Sequence, residues 1–368
     1  MPESEAVVKA AIETALAELD LPNCPGMFAA DALEALDQAG GKIDLRFKFG
    51  YPVKRFAEAF KLVVQQTLGT LSQAAGLDIA VGVDWQAVST QAKNTKTMVT
   101  GVKNIIAIAS GKGGVGKSTT TVNLAIALAR QGARVGVLDA DIYGPSQAHM
   151  LGVADKRPDF ATPKTMLPLV SYAGVQMISM GNLVTEQTPM VWRGPMVSGA
   201  LQQLLGSTQW DDLDYLFVDM PPGTGDIQLT LSQSVPVSGA VIVTTPQDIA
   251  LLDAKKGIEM FRKVSIPVLG VVENMATHIC SNCGHTEAIF GEGGGDRLAD
   301  DYQTDLLGRL PLAASIRLQT DDGKPPVEAE PESDIATVYH NTASCVAASL
   351  WHQAKSASQA PNISMVDD

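Results

Sequence analysis

The chain has 368 residues, 45% hydrophobic and 18% charged, enough to bury more than one modest core and in the range of a soluble protein of two domains. Lys plus Arg number 27 against 40 Asp plus Glu, a formal charge of −13, and without any basic run that surface disfavours nucleic acid as a partner. No apolar stretch approaches the roughly 20 residues that span a bilayer, and the acidic, amphipathic start "MPESEAVVKAAIETALAELD" lacks the basic-then-apolar order of a secretory signal, so no membrane partner and a cytoplasmic location are expected.

From the N-terminus, Val8, Ile12 and Leu16 fall at helical spacing. "KIDLRFKFGYP" then alternates, with Ile43, Leu45, Phe47 and Phe49 on one face of a half-buried strand. Phe56, Phe60, Val63, Val64, Leu68 and Leu71 mark one face of a following helix, and "LDIAVGVDW" alternates again. Helix, strand, helix, strand over residues 1–88 reads as a small α+β domain. The polar, aperiodic residues 89–103 read as a linker.

Beyond it, short apolar runs ("NIIAIAS", "RVGVLDAD", "YLFVDM", "GAVIVTTP", "VLGVVEN") alternate with helical stretches. Uninterrupted apolar strands are buried on both faces, so residues 104–352 are expected to form an α/β, doubly wound and mainly parallel sheet covered by helices. Residues 353–368 lack a core pattern and read as a flexible tail.

"GKGGVGKS", from Gly111 to Ser118, follows one of these strands, opens a helix and satisfies G-x-x-x-x-G-K-[ST] at every position. Backbone N–H groups of Gly111, Lys112, Gly113, Gly114, Val115 and Gly116 can curl around a phosphate chain, and the helix N-terminus at Lys117, Ser118 and Thr119 adds partial positive charge. Lys117 can reach the outer phosphates and Ser118 can bind magnesium. The expected ligand is therefore ATP with Mg²⁺. Asp219 ends the strand of "YLFVDMPPGTGD", where a carboxylate holds magnesium, usually through water. "VGVLDADIYGPS" supplies Asp139 at another strand end, then Asp141 in the following loop, where an acid can orient the attacking water. Gly223 and Gly225 would let the loop after Asp219 move when the γ-phosphate is lost. Each Asp taken alone could equally be a cap or turn residue. Asn274, at the end of "VLGVVEN", can be a turn former, or its amide can pair with an adenine edge.

The extra lysine, Lys112, is either a solvated charge or a side chain that reaches the nucleotide of a second copy in a face-to-face dimer. "KGGVGKST" resembles the deviant Walker A loop of the family that includes MinD, ParA, the nitrogenase iron protein and the Mrp proteins. That resemblance implies that Lys112 acts across a homodimer, that Asp141 is the catalytic acid of switch I, and that Asn274 recognises the base.

Cys280 and Cys283 stand three apart in "HICSNCGH", which is half the four-ligand set of structural zinc or most iron-sulfur clusters. Three readings compete: a redox pair or inert thiols, without the thioredoxin-like surroundings such a pair would have; a zinc knuckle closed by His278 and His285, cramped within eight residues; or two copies of the pair joined across a twofold axis. The twofold reading uses the same dimer that Lys112 requires. Cys24 and Cys345 read as structural or incidental, and so few scattered cysteines do not make a disulfide framework.

From about Gly101 to Pro331 the chain resembles the Mrp (ApbC) family of iron-sulfur cluster carriers, through "SGKGGVGKST", "DADIYGPS", "VWRGPM", "DMPPGTGD", "TTPQDIALLDAKKG", "ENM" with "CSNCGH", and "IFGEGGG". The resemblance implies a P-loop ATPase whose homodimer bridges a [4Fe-4S] cluster through Cys280 and Cys283 of each copy. It implies as partners apo iron-sulfur proteins and a cluster-assembly scaffold. The alternatives are a ParA/MinD-like positioning ATPase, expected to end in a basic amphipathic helix that "SLWHQAKSASQAPNISMVDD" does not provide, a zinc-bearing P-loop ATPase, and an electron carrier in the manner of the nitrogenase iron protein, whose cysteines lie far apart. The N-terminal domain resembles the MIP18-like domain in its order of elements, but its turn "FGYPVKRFAEAF" lacks the cysteine that relatives commonly carry there.

Overall fold

The computed structural model describes residues 10–16, 19, 29–39, 41–90, 99–182 and 194–359. Cys24, residues 91–98 of the expected linker, residues 191–193 of "VWRGPM" and the tail beyond 359 lie outside the described residues.

In the N-terminal unit, strands β1 (Leu33–Ala39) and β2 (Lys42–Phe49) form an antiparallel hairpin. The helix Ala57–Ala75 leads into β3 (Asp78–Trp85), parallel to β2. Along β2 burial alternates as expected, with Ile43, Leu45, Phe47 and Phe49 inward. Phe60 of the helix meets Phe47 and Phe49 edge to face at centroid distances of 4.9 and 5.3 Å, a favoured aromatic geometry. Strand β1 was not anticipated. "LEALDQA" has no β-branched residue and lies half-exposed at the sheet edge. Its one signal is the Gly-Gly dipeptide joining it to β2, with Gly41 at φ +81°, a positive φ of the kind two-residue hairpins require.

The second unit contains β4 (Ile105–Ala109), β5 (Val135–Asp139), a small hairpin of β6 (Phe160–Thr162) and β7 (Thr165–Met166), then β8 (Leu169–Val170), β9 (Gln176–Ser179), β10 (Tyr215–Asp219), β11 (Gly239–Thr244), β12 (Val268–Ile279), β13 (Thr286–Glu287) and β14 (Leu306–Leu312). Its sheet runs β13-β12-β11-β4-β10-β5-β9-β8, with β14 also pairing β12. Pairing is parallel except at β8/β9 and β12/β13. This is the expected doubly wound, mainly parallel α/β architecture. Strands β4, β5, β10 and β11 are buried at every residue because helices cover both faces. Ile106 and Ile108 of β4 join one core with the helices Lys117–Arg130 and Asp334–Gln359, while Ile105, Ala107 and Ala109 join the other with Gly194–Ser207 and Asp248–Lys263.

The helix Asp334–Gln359 corrects the expected tail boundary, since it runs past residue 352 and ties the two units together. Trp351 packs on Phe49 and Tyr51 at 6.2 and 5.6 Å, Lys355 pairs with Asp31 at 3.4 Å, and Arg55 bonds Thr337 at 3.1 Å. A Cβ on Gly50 would sit 2.0 Å from Trp351, so glycine is needed for this close approach. The start of the linker is also held on the sheet domain, where Asn104 Oδ1 accepts from the Thr90 N–H and hydroxyl at 3.1 and 2.8 Å. No described helix is long and apolar enough to cross a membrane.

His340 lies at this junction. It is 2% exposed and its Nδ1 has no partner; burial, then the Arg55 guanidinium, push it down from 6.5 to about 4. The unfolded imidazole takes up a proton below its ordinary pKa while the folded one resists until about 4, so this contribution to stability is complete above that ordinary value and fades as pH falls towards 4. Acidification from neutrality to near pH 4.5 should therefore cost about 2 kcal/mol through this residue, and His340→Gln should flatten most of that slope. Thermal unfolding of both proteins across the range checks this, and parallel slopes would reject it.

Candidate functional site

The phosphate loop leaves β4 and enters the helix Lys117–Arg130, as a P-loop must. Gly114 and Gly116 adopt φ +83° and +82°, and a Cβ on Gly111 would lie 2.1 Å from the Asp253 carbonyl, so the glycines are required by conformation and by space. Lys112 and Thr119 are half-buried, and Gly113 is exposed. The Lys112 carbonyl accepts from the Ser110 hydroxyl at 2.9 Å.

Strand register brings the acids together. Asp219 and Asp139 are paired neighbours at the carboxyl ends of β10 and β5, next to the loop that β4 feeds. Lys117 Nζ lies 2.6 Å from Asp219 Oδ1, 3.1 Å from Ser118 Oγ and 3.9 Å from Asp141 Oδ2. Asp139 accepts from the backbone N–H groups of Asp141, Ser146 and Gln147 at 3.2, 3.0 and 3.1 Å and from the Ser179 hydroxyl at 3.2 Å. Burial, then the Asp219 charge, raise Asp139 to about 7. Burial raises Asp141 too, with Lys117 opposing the shift.

Sequence reasoning missed Gln147. Its Nε2 donates to Asp219 Oδ2 at 2.9 Å and to the Ser118 carbonyl at 3.0 Å, while its Oε1 is buried without a partner. A glutamine in "YGPSQ" matches no chemical motif, and only the fold reveals its place. Thr121 was missed as well; its hydroxyl donates to Asp219 at 3.1 Å. Asp219 and Asp141 face the Lys117 ammonium with Asp139 beside Asp219; these carboxylates, the Ser118 hydroxyl and the orphaned Gln147 oxygen are hard donors that fit a magnesium ion reached largely through its water shell, not a preassembled ligand cage.

Asn274 lies against the loop. Its Nδ2 donates to the Val115 carbonyl at 2.8 Å, and a Cβ on Gly116 would come within 2.1 Å of that nitrogen. In this structure Asn274 braces the loop, a contact its sequence position did not announce. Gly223 adopts φ +102° and donates to the Ser110 carbonyl at 3.0 Å. Gln228 accepts from the Gly225 N–H at 2.6 Å, so the segment after Asp219 is pinned at both glycines.

Cys280 and Cys283 occupy the tip of the β12–β13 hairpin, whose register pairs His278 with Glu287 and Ile279 with Thr286. Main-chain bonds close the tip: Cys280 N–H to the His285 carbonyl and Gly284 N–H to the Cys280 carbonyl, both 2.9 Å. Cys280 is half-buried and Cys283 exposed. The backbone N–H groups of Asn282 and Cys283, then the Cys283 thiol, hold the Cys280 thiol below its ordinary range, which favours the ligating thiolate. Among the described residues no three His, Cys, Asp or Glu side chains converge as a metal site, and His278 Nδ1 lies 3.5 Å from Glu287. A single-chain zinc knuckle is not assembled. Cys345 is buried, its thiol pushed up to about 12 by burial, as a structural cysteine should be.

A protein-family model described as the ParA-type NUBPL iron-transfer P-loop NTPase matches residues 101–347. An iron-sulfur cluster carrier protein of Pseudomonas fragi is 66% identical over 243 residues, covering 66% of this chain and 84% of that protein. The mouse iron-sulfur cluster transfer protein NUBPL is 53% identical over 248 residues, covering 67% and 77%. Among solved structures, a nucleotide-binding protein of Archaeoglobus fulgidus in complex with ADP aligns with a TM-score of 0.56 at 38% identity, over 64% of this chain and 91% of that one.

Proposed function

The chain belongs to the NUBPL iron-transfer P-loop NTPase family, and from that premise we propose that it is an ATPase that binds an iron-sulfur cluster and hands it to apoproteins. The observation that carries this reading is a pair of thiols in the surface hairpin tip at the end of a strand that also braces a complete phosphate loop.

ATP takes its phosphates to the N–H groups of residues 111–119, and Lys117 leaves Asp219 to meet them. Mg²⁺, held by Ser118 and, through water, by Asp139 and Asp219, would neutralise charge on the β- and γ-phosphates. Asp141 orients the attacking water, and Lys112 reaches the nucleotide of the second copy. Asn274 is placed to meet the adenine edge with whatever hydrogen-bonding capacity the loop leaves free. A thiolate is a soft ligand suited to iron, and two chains supply the four that a [4Fe-4S] cargo takes. A hairpin tip at the surface suits transfer, since its ligands can separate without either core opening. Recipients are apo iron-sulfur proteins, the donor is an assembly scaffold, and the setting is the cytoplasm. Hydrolysis is expected to be slow until cargo or recipient shifts the conformational balance.

Anaerobic reconstitution tests the reading. The expected result is iron and sulfide in equal amounts, one cluster per two chains, with transfer to an apo acceptor that responds to ATP. Zinc at one atom per chain without sulfide would instead establish the zinc-bearing alternative, and ATP-dependent binding to liposomes or DNA the positioning one.

A further inference from the structure

Strand β12 begins between β11 and β14, towards one edge of the ATPase sheet, and ends at the cysteine hairpin, and it is not uniform along the way. Its first half, through Glu273, pairs in parallel with β11 and β14. Between Glu273 and Thr277 the register against β14 breaks: β12 advances from Glu273 to Thr277 while its partner advances only from Arg309 to Pro311. Inside that bulge Met275 has φ +56°, a left-handed conformation that a residue with a flexible side chain seldom adopts. Such outliers persist only where surrounding contacts impose them.

The contacts that impose it are visible. Glu273, 2% exposed, accepts from the Gly295 N–H at 2.7 Å and lies 3.5 Å from the Arg309 guanidinium, so the strand is fixed just before the bulge. Asn274 is tied to the Val115 carbonyl and packed on Gly116, both within the phosphate loop. After the bulge, β12 holds only the short pairings of Thr277 and His278 to β14 and the exposed two-residue strand β13. From Asn274 to Cys280 is six residues, at most about 20 Å of chain.

We infer that Asn274 and Met275 are positioning residues that link occupancy of the phosphate loop to the setting of the Cys280–Cys283 hairpin. Phosphate entering the loop engages the N–H groups beside Val115 and Gly116, so any shift it causes is felt in the backbone that Asn274 holds. Asn274 shares a hydrogen bond with that backbone, so it moves with it. Met275, anchored on one side at Glu273 and lightly held on the other, converts the displacement into a rotation of the strand end that carries the thiols. The inference rests on the carrier reading for what the hairpin holds, but its geometry concerns the protein alone.

The test uses the full-length, cluster-free protein and follows the rate of iodoacetamide alkylation at Cys280 and Cys283, resolved by peptide mass spectrometry, with and without a non-hydrolysable ATP analogue and magnesium. In the unsubstituted protein the nucleotide should change that rate at least about fivefold, the lower end of usual coupling between sites. Met275→Gly frees the constrained backbone and removes a side chain whose Cε lies near Gly116 of the loop; compared at saturating nucleotide, established by calorimetry, its nucleotide effect on alkylation should collapse towards none. Asn274→Ala, compared at saturating nucleotide, should lose the effect as well. An undiminished effect in either variant, or an unsubstituted hairpin that ignores the nucleotide, overturns the inference. Cluster loading of the unsubstituted protein is measured separately, so failure of the carrier reading would appear there and leave the alkylation result intact.

Discussion

Alanine at Cys280 or Cys283 is expected to abolish cluster retention after anaerobic reconstitution while leaving nucleotide binding near that of the unsubstituted protein. In a twofold arrangement each substitution removes two of four ligands at once, and two remaining thiolates cannot complete the coordination of a [4Fe-4S] cargo. The loss should be nearly total rather than graded. The hairpin itself should survive, because the bonds that close it, from Cys280 N–H to the His285 carbonyl and from Gly284 N–H to the Cys280 carbonyl, are main-chain bonds. Both side chains lie at or near the surface, so the stability change should stay within about 0.5 kcal/mol. Cys345→Ala supplies the contrast: buried in the core of the long C-terminal helix, it should cost stability and leave the cluster untouched. Iron, sulfide and visible absorption measured beside nucleotide affinity decide the matter, and normal loading in a Cys280→Ala, Cys283→Ala double variant would sink the carrier reading.

What could be read from the sequence, and what could not, divides along physical lines. The buried strands announced themselves because a sheet covered on both faces needs continuous apolar runs, and β4, β5, β10 and β11 are such runs. The phosphate loop was legible because its chemistry demands particular residue types at fixed spacing. Asp139 and Asp219 could be placed at strand ends, but their pairing in register needed the sheet order. Gln147 was invisible because its role depends on a short helix folding back over Ser118 and Asp219. Strand β1 hid because an exposed edge strand carries no alternating apolar face. The end of the C-terminal helix was misplaced because Lys355, which pairs with Asp31 and sits 5.1 Å over the Trp351 ring, looks like tail composition until its partner in the other unit is known.

Lys117→Met is expected to lower ATP hydrolysis by about a hundred- to a thousandfold, the usual loss when one preorganised donor to developing charge is removed. A second effect follows from the charges packed around the lysine. Lys117 is 6% exposed and is the cation that Asp219 and Asp141 face, at 2.6 and 3.9 Å. Breaking a buried ion pair costs about 3–5 kcal/mol when the remaining charge has no escape. Here it has one: Asp139 is already raised to about 7 and Asp141 is raised too, and without the ammonium these two should hold protons more readily. Carboxyls whose folded pKa exceeds the unfolded value bind more protons in the folded state, so the variant should lose stability as pH rises through the folded values and recover it as pH falls towards the unfolded ones. The deficit in Tm relative to the unsubstituted protein should therefore be larger at pH 8 than at pH 6. Adding Asp219→Asn to Lys117→Met removes one of the stranded charges and should restore part of the deficit, a non-additivity that a double-mutant cycle reads directly. A deficit that does not change with pH, or hydrolysis that survives Lys117→Met, would show that the buried lysine neither serves the phosphates nor neutralises the acids around it.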